Sequence, residues 1–123
     1  MKVNELMIGD WVMDGKNIAQ ITSITCDGII ETTFNESSNI EVIEPISLTH
    51  EILVKIGFST EPNIGYIIDD YDGTQIIYDS WNNNLRIIKD YKTCLDIKTF
   101  NDLTVHELQH ALRICGVEKE IEL

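Results

Sequence analysis

Two histidines near the C-terminus have a spacing that suits a metal ion. They stand four positions apart in the stretch His106-Glu107-Leu108-Gln109-His110, so on a helix both imidazoles lie on one face, one turn apart. In this H-E-x-x-H order two histidines hold zinc, and the glutamate activates the bound water for hydrolysis. Zinc-dependent hydrolysis is therefore the first chemistry that the residue types suggest.

A catalytic zinc ion needs a third protein ligand, and the sequence does not supply one at the expected place. The extended pattern has a histidine six residues after the second one, but Gly116 occupies that position. Only 13 residues follow His110, too few for a separate helix with a ligating glutamate. The substitutes would be Glu118, Glu120, Glu122 and His50. We predict no metal site and no enzymatic activity, and keep a zinc hydrolase with His106, Glu107 and His110 as the alternative.

An ordinary helix accounts for the same letters. Thr104 and Glu107 have the spacing of a capping box, and Gly116 suits the residue that ends a helix. At about 100° per residue, one apolar arc contains Val105, Leu108, Ala111, Leu112 and Cys115. His106 and His110 fall on the opposite side, where we expect them to face solvent or a partner.

Trp81 is the third candidate binding residue, beside His106 and His110. It stands in the polar turn Asp79-Ser80-Trp81-Asn82, between two apolar runs. A tryptophan in such a turn either covers the edge of the core or forms an exposed anchor for a partner. Trp11, which follows a Gly-Asp pair, is instead expected in the core of the first β region.

The charge balance excludes several partners. Nine basic and 21 acidic residues give a net charge of −12, so the chain has no basic face for direct nucleic-acid binding and would be repelled by an anionic membrane. Six acids lie between Lys16 and Lys55, where no basic residue occurs: Asp27, Glu31, Glu36, Glu41, Glu44 and Glu51. This pattern favours a soluble acidic surface; the alternative is an acidic nucleic-acid mimic that blocks a DNA- or RNA-binding protein.

Cysteine use and the lack of known signatures indicate a cytoplasmic protein without a cofactor. Cys26, Cys94 and Cys115 are far apart and form no C-x-x-C pair, so we predict reduced, mostly buried thiols. The N-terminal residues lack the apolar run of a signal peptide, and no segment approaches the ~18 apolar residues of a membrane span. The glycine-rich nucleotide-binding motifs are missing, and we predict no cofactor.

Turn signals divide the chain into elements that would position these residues. Asp14-Gly15 and Asp27-Gly28 predict hairpins, and the short strands around them predict an SH3-like small β-barrel or bent sheet over residues 1–46. A helix capped by Thr49 and ended by Gly57 links this unit to the rest of the chain.

The second half, residues 47–123, contains that linking helix, an antiparallel β-meander and a C-terminal helix. Asp72-Gly73 and Asn82-Asn83-Asn84 separate three apolar runs, and a further strand begins near Cys94. The fold class is therefore α+β, and we expect both parts to form one compact domain overall.

Three stretches together carry a resemblance: "IGDWV", "EPISLTHEILVKIGF" and "VHELQHALRICGVEKEIEL". They resemble a group of short proteins of gut Bacteroidales and of their phages and mobile elements. The resemblance supplies no activity to transfer, and it implies that the C-terminal segment is a packing motif. It also implies a phage or mobile-element setting, in which small acidic proteins often counter host defences.

From these observations we predict a non-enzymatic binding module, of the kind that antagonises a host defence. Its partner would be a host protein or a small signal molecule, and a homo-oligomer is a further option. The reason for this prediction is that the sequence lacks a complete catalytic set but has two β units that can present loops.

Overall fold

The computed structural model describes residues 5–35, 37–70, 72–99 and 103–123 and has a mixed α+β fold with two antiparallel sheets. The chain divides into two compact units. Unit 1 comprises the residues up to Ser47 together with Thr104–His106, and unit 2 comprises Leu48–Leu103 and Glu107–Leu123. The predicted α+β class is confirmed. Within the described ranges, no helix has the length and apolar character needed to cross a bilayer.

Unit 1 is a five-stranded antiparallel sheet. Its strands are β1 (Trp11–Asp14), β2 (Asn17–Ile24), β3 (Ile29–Thr32), β4 (Ser38–Asn39) and β5 (Ile43–Glu44), with a short 3-10 helix at Ile40–Val42. The order across the sheet is β4-β3-β2-β1-β5, which leaves β4 and β5 as the two edges. Both Asp-Gly pairs lie at hairpin turns, as predicted, but the described sheet is not a closed barrel.

The core of unit 1 is aliphatic, with two buried carboxylates beside it, Asp10 and Asp14. Strand alternation turns one side chain of each pair inward, and the buried cluster is Leu6, Val12, Ile21, Ile30 and Ile43. Asp14 Oδ2 accepts hydrogen bonds from Thr32 Oγ1 (2.8 Å) and Ser38 Oγ (2.7 Å), which joins β1 to β3 and β4. The prediction that Trp11 belongs to this core is wrong, because its neighbour Val12 takes the inward position and Trp11 is only half-buried.

Unit 2 is a second five-stranded meander with two helices. The strands are β6 (Ser59–Glu61), β7 (Gly65–Asp69), β8 (Gln75–Asp79), β9 (Asn84–Lys89) and β10 (Lys92–Lys98), in the order β10-β9-β8-β7-β6. One face of the sheet buries Ile68, Ile76 and Ile87, while the opposite face carries the exposed Arg86–Asp96 ion pair. The predicted meander and the strand near Cys94 are confirmed.

The helices end as their sequences predict. In α1 (His50–Ile56), Thr49 Oγ1 accepts from the N–H of Ile52, and the N–H of Gly57 donates to Leu53 O at 3.2 Å. The helix α2 (Val105–Ile114) begins in unit 1 and continues in unit 2. It closes with a hydrogen bond from the N–H of Gly116 to Arg113 O, at 3.0 Å.

Candidate functional site

A cleft of about 470 Å³ lies at one end of the meander of unit 2, between the β6–β7 turn and the β8–β9 turn. Residues 60–66 and 79–82 line it. Because neighbouring strands of a meander run in opposite directions, every second turn falls at the same end of the sheet. The topology therefore brings two turns that are distant in sequence to one site.

The side chain of Trp81 lies at this cleft and is 92% exposed. Of the two positions that the sequence left open for Trp81, the structure shows the exposed one. An indole so far from the core gains little from folding, since its apolar surface stays in water. Exposed aromatic side chains of this kind are frequent anchors at binding surfaces.

Asp79 fixes the backbone of the turn that carries Trp81. Its Oδ1 accepts from the backbone N–H groups of Trp81 (3.0 Å) and Asn82 (3.3 Å), and its Oδ2 accepts from Asn82 Nδ2 (2.8 Å). The hydrogen bond from the Asn82 side chain is the largest cause that holds the pKa of the Asp79 carboxyl below its usual value; burial opposes it, and the two backbone N–H groups lower the pKa further. Asp79 is therefore a carboxylate near neutral pH, and both of its carboxylate oxygens accept hydrogen bonds from the turn.

Gly65 and Tyr66 form the opposite wall of the cleft. A Cβ atom on Gly65 would lie 2.7 Å from the carbonyl oxygen of Tyr78, and the φ of 102° is one that side-chain-bearing residues rarely adopt. Only glycine therefore lets β7 begin this close to β8. The next residue, Tyr66, shares a 2.9 Å hydrogen bond between its hydroxyl and His50 Nδ1, and its ring stacks 6.5 Å from that of Tyr78.

The charges at the cleft are of one sign. Glu61 and Asp79 are the ionisable carboxyls among its lining residues, and the lining contains neither lysine nor arginine. Two aromatic residues, Trp81 and Tyr66, stand beside them. A cationic group is attracted both by carboxylates and by the face of an indole ring. The site is thus suited to a positively charged ligand group.

The two C-terminal histidines, which the sequence placed on one outward face of α2, differ in burial. His106 is buried, with 5% of its surface exposed, so its predicted outward position is wrong; His110 is half-buried. The first turn of α2 is tied into unit 1, because the N–H of Val105 donates to Ile46 O at 2.8 Å and Thr104 pairs with Ser47. A helical wheel uses local sequence alone and does not take this long-range tie into account.

The zinc alternative gains no third ligand. His106 Nδ1 lies 3.2 Å from Thr104 Oγ1, whereas Glu107 is exposed. In the part of the chain that the structure describes, no three His, Cys, Asp or Glu side chains come together in a way that could hold a metal ion. The structure therefore does not add to the H-E-x-x-H match.

The cysteines differ from the prediction of mostly buried thiols. All three are free thiols, but Cys26 and Cys94 are exposed and only Cys115 is buried. Cys94 lies where the register between β9 and β10 shifts, and Cys26 lies in the β2–β3 turn. Cys26 is exposed in a turn, and Cys94 is exposed on β10, an edge strand along which every residue except the half-buried Leu95 is exposed. A general preference of cysteine for the interior does not take these positions into account.

Sequence analysis missed Glu61, Tyr66 and Asp79 as members of the site. The signal for Asp79 was present, since an aspartate two residues before Trp81 favours a turn in which its side chain accepts from the backbone. Glu61 and Tyr66 reach the cleft through strand pairing, and their sequence neighbourhood carries no comparable signal.

No protein-family model matches this chain, and comparison with curated proteins and with solved structures finds no significant match. The geometry of the cleft and the chemistry of its lining therefore carry the functional conclusion.

Proposed function

We propose that the protein is a non-enzymatic binding module whose binding site is the Trp81 cleft, and that the cleft accepts a lysine or arginine side chain of a protein partner. The observation that carries this proposal is the 92% exposure of Trp81 beside a cleft whose only charged lining residues are Glu61 and Asp79. All residues that line the cleft belong to unit 2. The proposal therefore does not depend on whether unit 1 is SH3-like, which stays a prediction.

The size and lining of the cleft suit one long side chain with a charged end. About 470 Å³ is within the range of small-ligand sites, and a lysine or arginine has an apolar stem that can lie along Ile64 while its head meets the carboxylates. The contact of a cation with an indole face is worth about 0.5–2 kcal/mol, depending on how far water is excluded. Trp81 would thus contribute both area and charge recognition.

The charge of the whole chain favours the same class of partner. A net charge of −12 attracts a basic protein from a distance and speeds the encounter, although salt screens this attraction. The cleft then adds local specificity that net charge alone does not provide. We propose a host protein with a basic surface, targeted by a phage or mobile element, as a partner of this kind.

Fluorescence anisotropy with a labelled peptide tests the proposal. The probe alternates arginine with glycine and serine, and its neutral control has citrulline in place of every arginine. Trp81→Ala is expected to weaken binding of the arginine peptide by about tenfold, the loss typical of an anchor residue, and the citrulline peptide is expected to bind poorly to both proteins. Because Trp81→Ala leaves the net charge at −12, non-specific attraction stays constant.

Tyr91→Ala is the matched control for Trp81→Ala. Tyr91 is also an exposed aromatic, at 82%, and lies in the β9–β10 turn of the same sheet, but it does not line the Trp81 cleft. The proposal predicts that Tyr91→Ala binds the arginine peptide as the wild type does. Equal binding by wild type and Trp81→Ala would overturn it, since the attraction would then come from net charge alone.

The acidic nucleic-acid mimic is the second candidate, and the register of unit 1 gives it one observation. Glu31 and Glu44 both neighbour inward-facing residues on their strands, so both project from the side of the sheet opposite the core. Glu36, which belongs to the same acidic segment, lies outside the described residues. A Glu31→Gln/Glu44→Gln protein that no longer displaces a DNA duplex from a basic DNA-binding protein, while Trp81→Ala still does, would favour the mimic over the cleft.

A further inference from the structure

Two cysteines that are 21 positions apart in sequence meet at the other side of unit 2. Cys94 lies in an irregularity of β10: Thr93 pairs with Ile88 and Leu95 with the adjacent Ile87, so one extra residue is accommodated on β10. A bulge of this kind turns a side chain away from the regular alternation of the strand. The Cys94 side chain is exposed, as are most residues of β10, which is an edge strand of the sheet.

Cys115 is brought to the same place by the end of α2. Lys89, the last residue of β9, donates from Nζ to the carbonyl oxygen of Gly116 at 2.7 Å, and its paired residue on β10 is Lys92. This hydrogen bond joins the residue directly after Cys115 to the strand ends next to Cys94. The two thiols are close enough for Cys94 to act on the titration of Cys115, because its side-chain hydrogen bond and its charge both raise the pKa of Cys115.

We propose that Cys94 and Cys115 are a redox-sensitive thiol pair that closes to an intramolecular disulfide when the protein meets a small-molecule disulfide such as oxidised glutathione. The bulge at Cys94 and the Lys89–Gly116 hydrogen bond carry this proposal, and the effect of Cys94 on the pKa of Cys115 supports it. It is independent of the Trp81 cleft, because none of the residues that line the cleft takes part.

The reaction proceeds by two thiol–disulfide exchanges. The Cys94 thiolate attacks one sulfur of oxidised glutathione, forms a mixed disulfide and expels one glutathione thiolate. Cys115 then loses its proton, and its Sγ attacks the Cys94 sulfur and expels the second glutathione thiolate. The two cysteine sulfurs lose two electrons in total, glutathione disulfide gains them, and the protons of both cysteines end on glutathione.

Exposure decides which cysteine reacts first. Cys94 is accessible to an oxidant, whereas Cys115 is buried, and burial, followed by the hydrogen bond and charge of Cys94, raises the pKa of Cys115 to about 12. Cys115 is therefore a poor first nucleophile near neutral pH. Once Cys94 carries glutathione, its own contribution to the raised pKa of Cys115 is lost; burial still raises that pKa, and Lys89 still lowers it.

Peptide mapping under non-reducing conditions tests the pair directly. Cleavage after lysine and arginine releases Cys94 in the peptide Thr93–Lys98 and Cys115 in the peptide Ile114–Lys119, while Cys26 lies in the peptide Asn17–Lys55. After incubation with oxidised glutathione and trapping of free thiols, we expect the first two peptides to be linked in wild type and in Cys26→Ser. The linked species should be lost in Cys94→Ser, a substitution at an exposed site that leaves the buried thiol in place.

The melting temperature gives a second readout. The cross-link closes a loop that contains most of β10 and α2, so the oxidised wild type should melt several degrees higher than the reduced protein, and Cys94→Ser should show no such rise. Glutathione adducts on Cys26 and Cys94 at similar rates, without a linked Cys115 peptide, would overturn the proposal. Dimers joined through Cys94 or Cys26 would overturn it equally, because they show that the thiols react between molecules.

Discussion

Among the described residues, Trp81 and Tyr91 are exposed aromatics at opposite ends of the unit 2 meander, and the two ends hold them in different ways. At one end Trp81 follows a turn that Asp79 ties together through the backbone, and the indole ring remains in water. At the other end the N–H of Tyr91 donates to Gly73 O at 3.0 Å, and the ring of Tyr91 lies against Gly73. A Cβ on Gly73 would approach that ring to 2.9 Å.

The difference separates an aromatic that supports the fold from one that is available to a ligand. Tyr91 covers the neighbouring β7–β8 turn, so its ring has a structural role despite 82% exposure. The position of Trp81 is fixed by a hydrogen bond from its backbone N–H to Asp79, so its side chain does not have to pack against the fold to hold the turn. Exposure alone therefore does not distinguish the two residues; the way in which each turn is held does.

The largest expected effect concerns the wall of the Trp81 cleft. Gly65→Ala should lower the free energy of unfolding by about 3 kcal/mol, because the new Cβ meets the backbone oxygen of Tyr78, which cannot move without breaking strand pairing. Gly15→Ala is the control: it has a φ of 64° but nothing within 4 Å, and should cost only about 1 kcal/mol. Urea unfolding measures both, and equal costs would refute the close approach at Gly65.

A smaller effect tests the packing of Tyr91 on Gly73. Gly73→Ala should destabilise by about 2 kcal/mol and Tyr91→Ala by about 1 kcal/mol, since one displaces the ring and the other removes it. The double variant should cost less than the sum, because the steric conflict exists only when both groups are present. Strict additivity in chemical denaturation would show that the ring does not lie on Gly73, and the contrast between the two ends would disappear.

The turn that holds Trp81 should depend on pH. The pKa of Asp79 is lowered in the folded protein, so its contribution is present above the ordinary carboxyl value of 3.8 and is lost as the pH falls through the folded value. In a Trp11→Phe protein, Trp81 is the only tryptophan, and its fluorescence should change over that acidic window. Asp79→Asn should remove the transition; an unchanged titration would mean that Asp79 does not control this turn.

The smallest effect on stability is expected at Trp81 itself. Trp81→Ala should change the free energy of unfolding by less than about 0.5 kcal/mol, because the exposed ring buries little apolar surface on folding. Thermal unfolding of this variant beside Tyr91→Ala provides the comparison. A loss of stability at Trp81 that equals or exceeds the loss at Tyr91 would assign both rings the same structural role.

Local sequence patterns predicted the parts of the fold that depend on local chemistry. Thr49 and Gly57 bound α1 as expected, and the turn at Asp72-Gly73 lies between paired strands, because caps and tight turns are decided by a few neighbouring residues. His106 was expected to be exposed but is buried, and the turn that contains it is tied by the pairing of Thr104 with Ser47, far away in sequence.

The candidate site was predictable only in part. Trp81 was singled out from its polar surroundings, but both of its possible positions suit the same local sequence, and strand pairing decides between them. Gly65, Tyr66 and Glu61 join Trp81 through the β6–β7–β8 register, which local patterns do not encode. The exposure of Cys94 likewise follows from the place of β10 at the edge of the sheet, which strand order decides.

The most direct test of the central claim is the fluorescence of Trp81 in the Trp11→Phe protein during titration with the arginine peptide. Binding of a cationic side chain at the cleft predicts a saturable change in the Trp81 signal that the citrulline peptide does not produce. It also predicts that Glu61→Gln weakens the response, since that residue contributes one of the two lining carboxyls. An unchanged Trp81 signal while the labelled arginine peptide binds would contradict the account, because the partner would then bind elsewhere.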